Sequence, residues 1–583
     1  MRINNPQLSA MFTRRLRQVA VSAACAFCII GASAQDISQI GKSDPLIISG
    51  SIGTQNTYYH SSMGAGYMSP LSNTVFANLN IRIYGFSMPF SFYYSNDNMD
   101  FNYPQFSFNL TPSYKNFTAH IGQSTIPFST YVMNMSFNGV GLEYKGSKFR
   151  TAAFYGVLRK AVNDNPEDPN PRKPQYKRIG WGFSAGYGSG NKSIDVYFLR
   201  AYDQENSIHE LYRETYRPQE NLVVGVKAAY AIKNFLSFNV NAATSAYTAD
   251  TESEKVTVGE ATKYDGIFQP RYTTTLRFAG DASVNLSTKW FSTSFYYKMV
   301  QPDYTSLGTY YTSNNYHSLG VTFGTVFFNR LSLNTNFSLQ EDNLTKKQLY
   351  TTKGYVYSGV LGLRVSDKFN VNAMYNGYLQ DQGDGTAVVN DTTRIHRILH
   401  SISLLPTLVL PGENLDHSFN VSGNYTINKD LNKYSIGMSD VNTLALGAGY
   451  TMNVKPWDTS FSFNLSHQQS DGYDSKYTSQ VGSFTTGHSF LKERNLNTSA
   501  TVSICYNEVK NTSKNLSMAL DLSANYTLKK AHSFSFSASF SKYGDVNVSK
   551  TRSSLDGTDI RLSLNYVYTF TLLEIKRKAK EKK

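Results

Sequence analysis

Apolar and polar side chains alternate with a period of two along most of this 583-residue chain. The clearest stretch is Ser533-Phe534-Ser535-Phe536-Ser537-Ala538-Ser539-Phe540-Ser541, with Phe and Ala on one face and only Ser on the other. Leu331–Leu339, Phe461–Leu465 and Arg561–Tyr568 alternate in the same way. A period of two sends successive side chains to opposite faces of a β-strand. The segments are about ten residues long, which is what a tilted strand needs to cross a bilayer. A soluble sandwich would present Lys, Glu and Arg on its outward face. Here the polar face is Ser, Thr and Asn. The pattern predicts an all-β protein, one large antiparallel transmembrane β-barrel over residues 46–573.

Two kinds of connection separate the segments. Short turns are expected at Lys145–Lys148, Gly188–Asn191, Lys233-Asn234, Thr288-Lys289, Asn329-Arg330, Asp367-Lys368, Lys455-Pro456 and Lys529-Lys530. Longer polar loops are expected at Val162–Lys177, Asp203–Glu220, Thr248–Gln269 and Gln382–Asp391. Turns on one side and loops on the other are the outer-membrane arrangement, with the turns periplasmic. Phe149, Phe235, Trp290, Leu331, Phe369 and Trp457 follow turns, as an interfacial girdle would. Counting hairpins gives roughly 24–26 strands, an even number. Leu404–Pro411 and Ser479–Asn495 are the hardest segments to assign. Ser207–Pro218 reads as a short loop helix, with Ser207 as its cap, Glu210 at the third position and Pro218 as its stop. Such an element could narrow the pore or lie on top of it.

Composition agrees with a sheet that is half greasy and half wet. Tyr (42) and Phe (36) together outnumber Lys and Arg (56), yet mean hydropathy is −0.37. The net charge of +14 sits mostly at the ends, with four Arg in the first 34 residues and six bases after Ile575. That distribution argues against nucleic-acid binding, which would gather bases on a folded face. Residues 1–34 read as a cleaved signal peptide: Arg14, Arg15 and Arg17, an apolar run Val19–Ile30, and Ala32-Ser33-Ala34 before the cut. The run is shorter than the roughly 20 residues of a spanning helix. A short periplasmic lead (35–45) would follow, with no room for an N-terminal plug, and a basic periplasmic tail (574–583) would close the chain. Cleavage removes Cys25 and Cys28. Cys505 remains, read as a small side chain facing lipid, so neither a disulfide nor a thiolate metal cluster is expected.

Candidate chemistry is sparse. Asn-x-Ser/Thr triplets begin at Asn109, Asn116, Asn285, Asn336, Asn420, Asn424, Asn464, Asn515 and Asn547. Positions i and i+2 share a strand face, so these read as a polar wall rather than as glycosylation sites. His417-Ser418 and His532-Ser533 are adjacent, and adjacent strand residues face opposite ways, which defeats a nucleophile–base pair. His120, His396 and His400 show no metal spacing. The reading is a non-enzyme with no catalytic, cofactor-binding or metal-binding residues.

One region resembles a known family. The series Met88–Asn96, Leu110–Lys115, His120-Ile121-Gly122, Phe128–Tyr131, Gly139–Tyr144 and Lys148–Leu158 is similar to large outer-membrane β-barrel proteins of the Bacteroidota, mostly of unassigned function. In that family a Pro-Phe-Ser strand, a Ser-Pro-x-Tyr-Lys turn and an Ala-x-Tyr-Gly-Arg-Leu strand recur in order. The match covers about residues 85–161. Here Thr111 stands where the family has Ser and Val157 where it has Arg. The resemblance implies location and fold, and carries over no active residue. The expected function is that of an integral outer-membrane barrel, a structural or accessory component of an assembly, secretion or surface complex. A passive porin-like channel for small polar solutes, with a mild anion bias, is the alternative. Expected partners are outer-membrane lipid and lipopolysaccharide, the barrel-assembly machinery during biogenesis, and a protein at the loops or tail.

Overall fold

The computed structural model describes residues 46–62, 69–96, 106–167, 171–190, 192–256, 268–435, 437–491, 493–545 and 556–575. The expected signal segment, the lead, the tail beyond Ile575 and the Asn547 triplet lie outside these residues.

The described strands form one closed antiparallel sheet of 26, an even number within the expected range. Each strand is hydrogen-bonded to its neighbours in sequence. The first, Leu46–Ser61, closes the ring against the last, Gly557–Ile575, with Ile52 opposite Tyr568 and Tyr58 opposite Leu562. Phe106–Leu110 and Ser113–Tyr114 are two halves of one crossing, since both lie between Phe86–Ser95 and Phe117–Ser124. Pro112 has no N–H to offer the ladder, which is why the strand breaks there. The sheet continues through its carbonyl, which accepts the Ala119 N–H at 2.9 Å, while the Thr111 N–H donates to the Pro89 carbonyl at 3.0 Å.

Register sorts the side chains into two faces. Asn464 lies opposite Gly449 and Ser483, and Ser483 opposite Ser503, so small polar groups line the inside in rungs. Hydrogen bonds join many of them, such as Thr451–Ser462 at 3.0 Å and Thr485–Thr501 at 2.9 Å. Each such cross-strand pair contributes about 0.2–1 kcal/mol. The intervening positions point outward: Leu276, Leu319, Leu446 and Leu465 are large, apolar and exposed.

The short-turn rim is built as expected. Phe328-Asn329 and Lys529-Lys530 both have two consecutive positive φ values (52° and 56°; 51° and 57°), the geometry of a tight two-residue hairpin. Trp290 and Trp457 stand exposed at this rim. The other rim is less regular than expected: Thr248 and Thr274 are joined by a long loop, but Gly472 and Lys476 by a short turn. Both uncertain segments are mainly strand: Leu404–Leu410 ends His396–Leu410, and Ser479–Phe490 ends Lys476–Phe490, after which the chain leaves the sheet until Leu496.

The Asn triplets at 109, 285, 336, 420, 424, 464 and 515 do face the lumen, and Asn116 sits in a turn. Cys505 corrects the reading made from sequence. It lies on the Ser503/Asn507 face, opposite Val481 and Ser517 and 4.0 Å from the Ser479 hydroxyl, so it faces the lumen. Its neighbours Ile504 and Tyr506 take the outward positions.

A charge on the outward face should be far costlier than one inside. Leu446→Arg is expected to destabilise the barrel by about 2–4 kcal/mol and Asn464→Arg by much less, measured by denaturant titration in lipid vesicles. In a chain lacking residues 1–34, where Cys505 is the sole thiol, a charged methanethiosulfonate should label it. A thiol that stays unlabelled in vesicles would return it to the lipid face.

Candidate functional site

Buried apolar side chains are unevenly distributed. Among the described residues, all except Val454 and Ala538 fall between Ile126 and Leu307. They gather because two connections on the long-loop rim, 125–136 and 301–315, fold into the lumen instead of standing above it.

The first loop turns tightly, the Val132 and Met133 N–H groups both donating to the Ser129 carbonyl at 2.9 and 3.0 Å. This turn drives Ile126, Val132 and Met133 against the wall, where they are 2% exposed or less. Phe128 meets Phe154 and Tyr197 with ring centroids 5.7 and 5.5 Å apart. Full burial of a side chain such as Val132 stabilises by about 1.5–3 kcal/mol. The wall is shaped for it: a Cβ on lumen-facing Gly225 would sit 2.5 Å from the Val132 side chain.

The second loop locks onto the first. The Gly308 carbonyl accepts from the Asn134 and Met135 N–H groups at 3.0 and 3.1 Å. The Ser306 hydroxyl donates to the Val132 carbonyl at 2.6 Å and the Tyr304 hydroxyl to the Tyr131 carbonyl at 2.8 Å. Both loops are then tied to lumen-facing groups. Ser129 donates to Asn241 at 2.6 Å, Tyr131 to Asp281 at 2.8 Å, the Leu307 N–H to Asn221 at 3.0 Å, and Ser245 to the Thr305 carbonyl. Asn221 and Ser245 have no exposure at all.

The opposite wall differs. There Asn334, Asn372, Asn376, Asn420, Asn464 and Asn525 are exposed on the lumen side. The lumen is therefore packed along one side and wet along the other.

Above the loops, charges organise the rim. Asp203 receives Arg178 through Nε at 2.8 Å and Nη2 at 3.0 Å, and Arg178 also donates to Gln219 at 3.0 Å. Arg172 holds the Asp164 carboxyl down at about 2, through side-chain hydrogen bonds and then its backbone N–H. The expected helix in 207–218 shrinks to one turn, Glu210–Arg213, capped by His209 rather than Ser207. Ser207 instead donates to the Gln204 carbonyl and accepts from the Lys177 N–H. Glu210 and Leu211 are exposed, and the His209 N–H ties this turn to Asn163 of the neighbouring rim connection, outside the two connections that fold into the lumen. The loops that do narrow it passed unnoticed in sequence. Pro127, Pro302 and Gly308 mark them as loops, but nothing in their composition marks them as inward-folding.

The two His-Ser pairs are split across the wall. His417 and His532 face outward, each 2.8 Å from a Tyr hydroxyl (Tyr450 and Tyr566), while Ser418 and Ser533 face the lumen. His400 pairs with Tyr375 in the same way. Among the described residues no group of His, Cys, Asp and Glu could hold a metal ion.

A closed sheet with an apolar exterior and a polar interior is what a bilayer demands. This is a large transmembrane β-barrel. No protein-family model and no curated protein matches the chain. Among solved structures it is similar to Acinetobacter baumannii OccAB2 (10% identity, TM-score 0.30, covering 65% of this chain and 96% of that one). It is also similar to the P pilus usher (PapC) translocation pore (10%, 0.35, 90% and 100%) and to Pseudomonas aeruginosa OprD (10%, 0.30, 65% and 94%). Likeness at this level does not extend to the lumen, whose reading rests on the residues of this barrel.

Loop docking should respond to two substitutions in the wall. Asn221→Ala strips the buried Leu307 N–H of its acceptor and weakens docking by about 1–3 kcal/mol. Gly225→Val places atoms where Val132 lies and expels the loop. Limited proteolysis should then cut within 125–136 and 301–315 while the folded barrel keeps its heat-modifiable gel mobility. Full protection of both loops in Gly225→Val would contradict this account.

Proposed function

We propose that the barrel is a wide polar conduit serving as the membrane component of a larger envelope assembly, of the secretion or surface kind. The observation that carries this is the unequal filling of the lumen. A round barrel of 26 strands is roughly 50 Å across at the backbone, given the usual strand spacing and tilt. Two loops along one side leave most of that width lined by neutral Ser, Thr and Asn. An opening so wide would leak if left free, so a partner or a cargo must occupy it in the cell.

In this reading residues 1–34 direct export and the short turns face the periplasm, beside a basic tail available to a partner. The loop rim faces outward among lipopolysaccharide, and the barrel-assembly machinery inserts the chain. The motif series over 85–161 supports placing it with the Bacteroidota barrels. The protein acts by positioning and passage, without catalysis. The same neutral lining favours a second reading, a passive channel for small polar solutes.

Planar-bilayer recording and affinity isolation test the proposal together. The purified barrel alone should give large, stable conductance steps, and the tagged barrel drawn from outer membranes should bring a stoichiometric protein partner. Absence of conductance would mean that the lumen is closed by its own loops, and would overturn the conduit. Conductance with no partner would overturn the assembly role in favour of the passive channel.

A further inference from the structure

The loop rim holds a cavity of about 540 Å³ between the connections 160–177, 204–219 and 249–256. Arg159, Lys173, Tyr176, Asp203, Tyr216 and Arg217 contribute to its wall. Two guanidinium groups there meet a single carboxylate. The Asp203 side chain is 1% exposed and is fully engaged by Arg178, while Arg159 Nη2 stands 3.5 Å from its Oδ1. Arg159 also gives its Nε–H to the Tyr176 carbonyl at 3.3 Å, leaving most of its five donors unused among the described residues. This trio carries one positive charge more than Asp203 neutralises.

Lys173 adds a second. Its ammonium lies 6.0 Å from the centre of the Tyr216 ring, and among the described residues it forms no ion pair. Arg217, by contrast, is held by Glu252 at 2.6 Å and by Asp250 at 3.8 Å. The Tyr176 hydroxyl donates to the Tyr216 carbonyl at 2.9 Å, which ties the two aromatic residues of the wall together.

We propose that this cavity binds a carboxylate-bearing sugar of one or two rings. A guanidinium presents paired donors that match a carboxylate, and an ammonium adds a point charge beside it. The acids already present, Asp203, Asp250 and Glu252, favour a single negative charge over a doubly charged phosphate, because like charges in a confined site repel. The partly exposed Tyr216 ring supplies the flat apolar surface that a sugar face covers, and the buried Tyr176 holds it in place. The volume falls within the roughly 300–1,000 Å³ of small-molecule pockets. This inference stands whether or not the lumen conducts.

Titration calorimetry on the full detergent-solubilised barrel tests it with glucuronate, glucose and inorganic phosphate. Glucuronate should bind, with glucose and phosphate each about tenfold weaker or more, glucose because it lacks the ion pair and phosphate because its second charge is repelled by the acids of the site and it has no ring to cover the aromatic wall. Arg159→Gln and Lys173→Gln should each weaken glucuronate by about tenfold or more without changing heat-modifiable mobility. Lys173 lies on a loop, so its substitution keeps the test valid if Arg159→Gln fails to fold. Glucose binding as tightly as glucuronate, phosphate binding more tightly, or no binding of glucuronate at all would overturn the proposal.

Discussion

Every strand of this protein is governed by the backbone hydrogen bond in hydrocarbon. A peptide N–H or C=O left unpaired in a bilayer costs several kcal/mol, and no water is present to relieve it. A sheet escapes that cost only by having no edge. The long pairing of Leu46–Ser61 with Gly557–Ile575 is therefore what all the other strands rely on. It also explains why Pro112 is tolerated. The missing N–H falls where the chain rejoins the ladder one residue later, so the sheet stays closed across the gap.

Closure by a strictly alternating sheet has a second effect. Every residue that satisfies lipid on the outside forces its neighbours inward, and the inward set must then be compatible with water or with packing. Along most of the wall it is compatible with water, in rungs of Ser, Thr and Asn. Along the sector from about Phe137 to Tyr316 it changes character. Phe154, Leu199, Val223, Ala279 and Val300 face inward and would be poor lining for a wet channel. The loops 125–136 and 301–315 cover them, and their own polar groups are answered by Asn221, Asn241, Ser245 and Asp281. The apolar sector and the inward loops are two halves of one packing unit, and each accounts for the other.

The charged groups follow the same division. Along the open wall they are few, and the arginine–carboxylate contacts cluster at the loop rim, where Arg159, Arg178, Arg200 and Arg217 find Asp203, Glu220 and Glu252. A carboxylate as buried as Asp203 needs a cation at hydrogen-bond distance to remain charged. Two are supplied, Arg178 and Arg159. Paired charge at the loop rim and neutrality along the wall then belong to different parts of the molecule.

From the sequence alone the barrel, its even strand number, the tight turns of one rim and the lumen-facing Asn triplets could all be read. Those features are set by a period of two, which is local and survives without knowledge of neighbours. Whether Cys505 faced lipid or lumen turned on the register of one strand, and a shift of a single residue reverses every side chain. Ser207 looked like a cap, but the Lys177 N–H and Gln204 carbonyl took its hydroxyl, so His209 began the helical turn. The inward loops were decided by tertiary structure. Their residues are ordinary for exposed connections, and only when strands distant in sequence bring Gly225, Asn221 and Leu199 beside Val132 and Gly308 is there a place for them to fold. The cavity at the rim depends in the same way on loops that the closed sheet brings side by side. Alternation specified the wall, and closure of the wall determined what fills it.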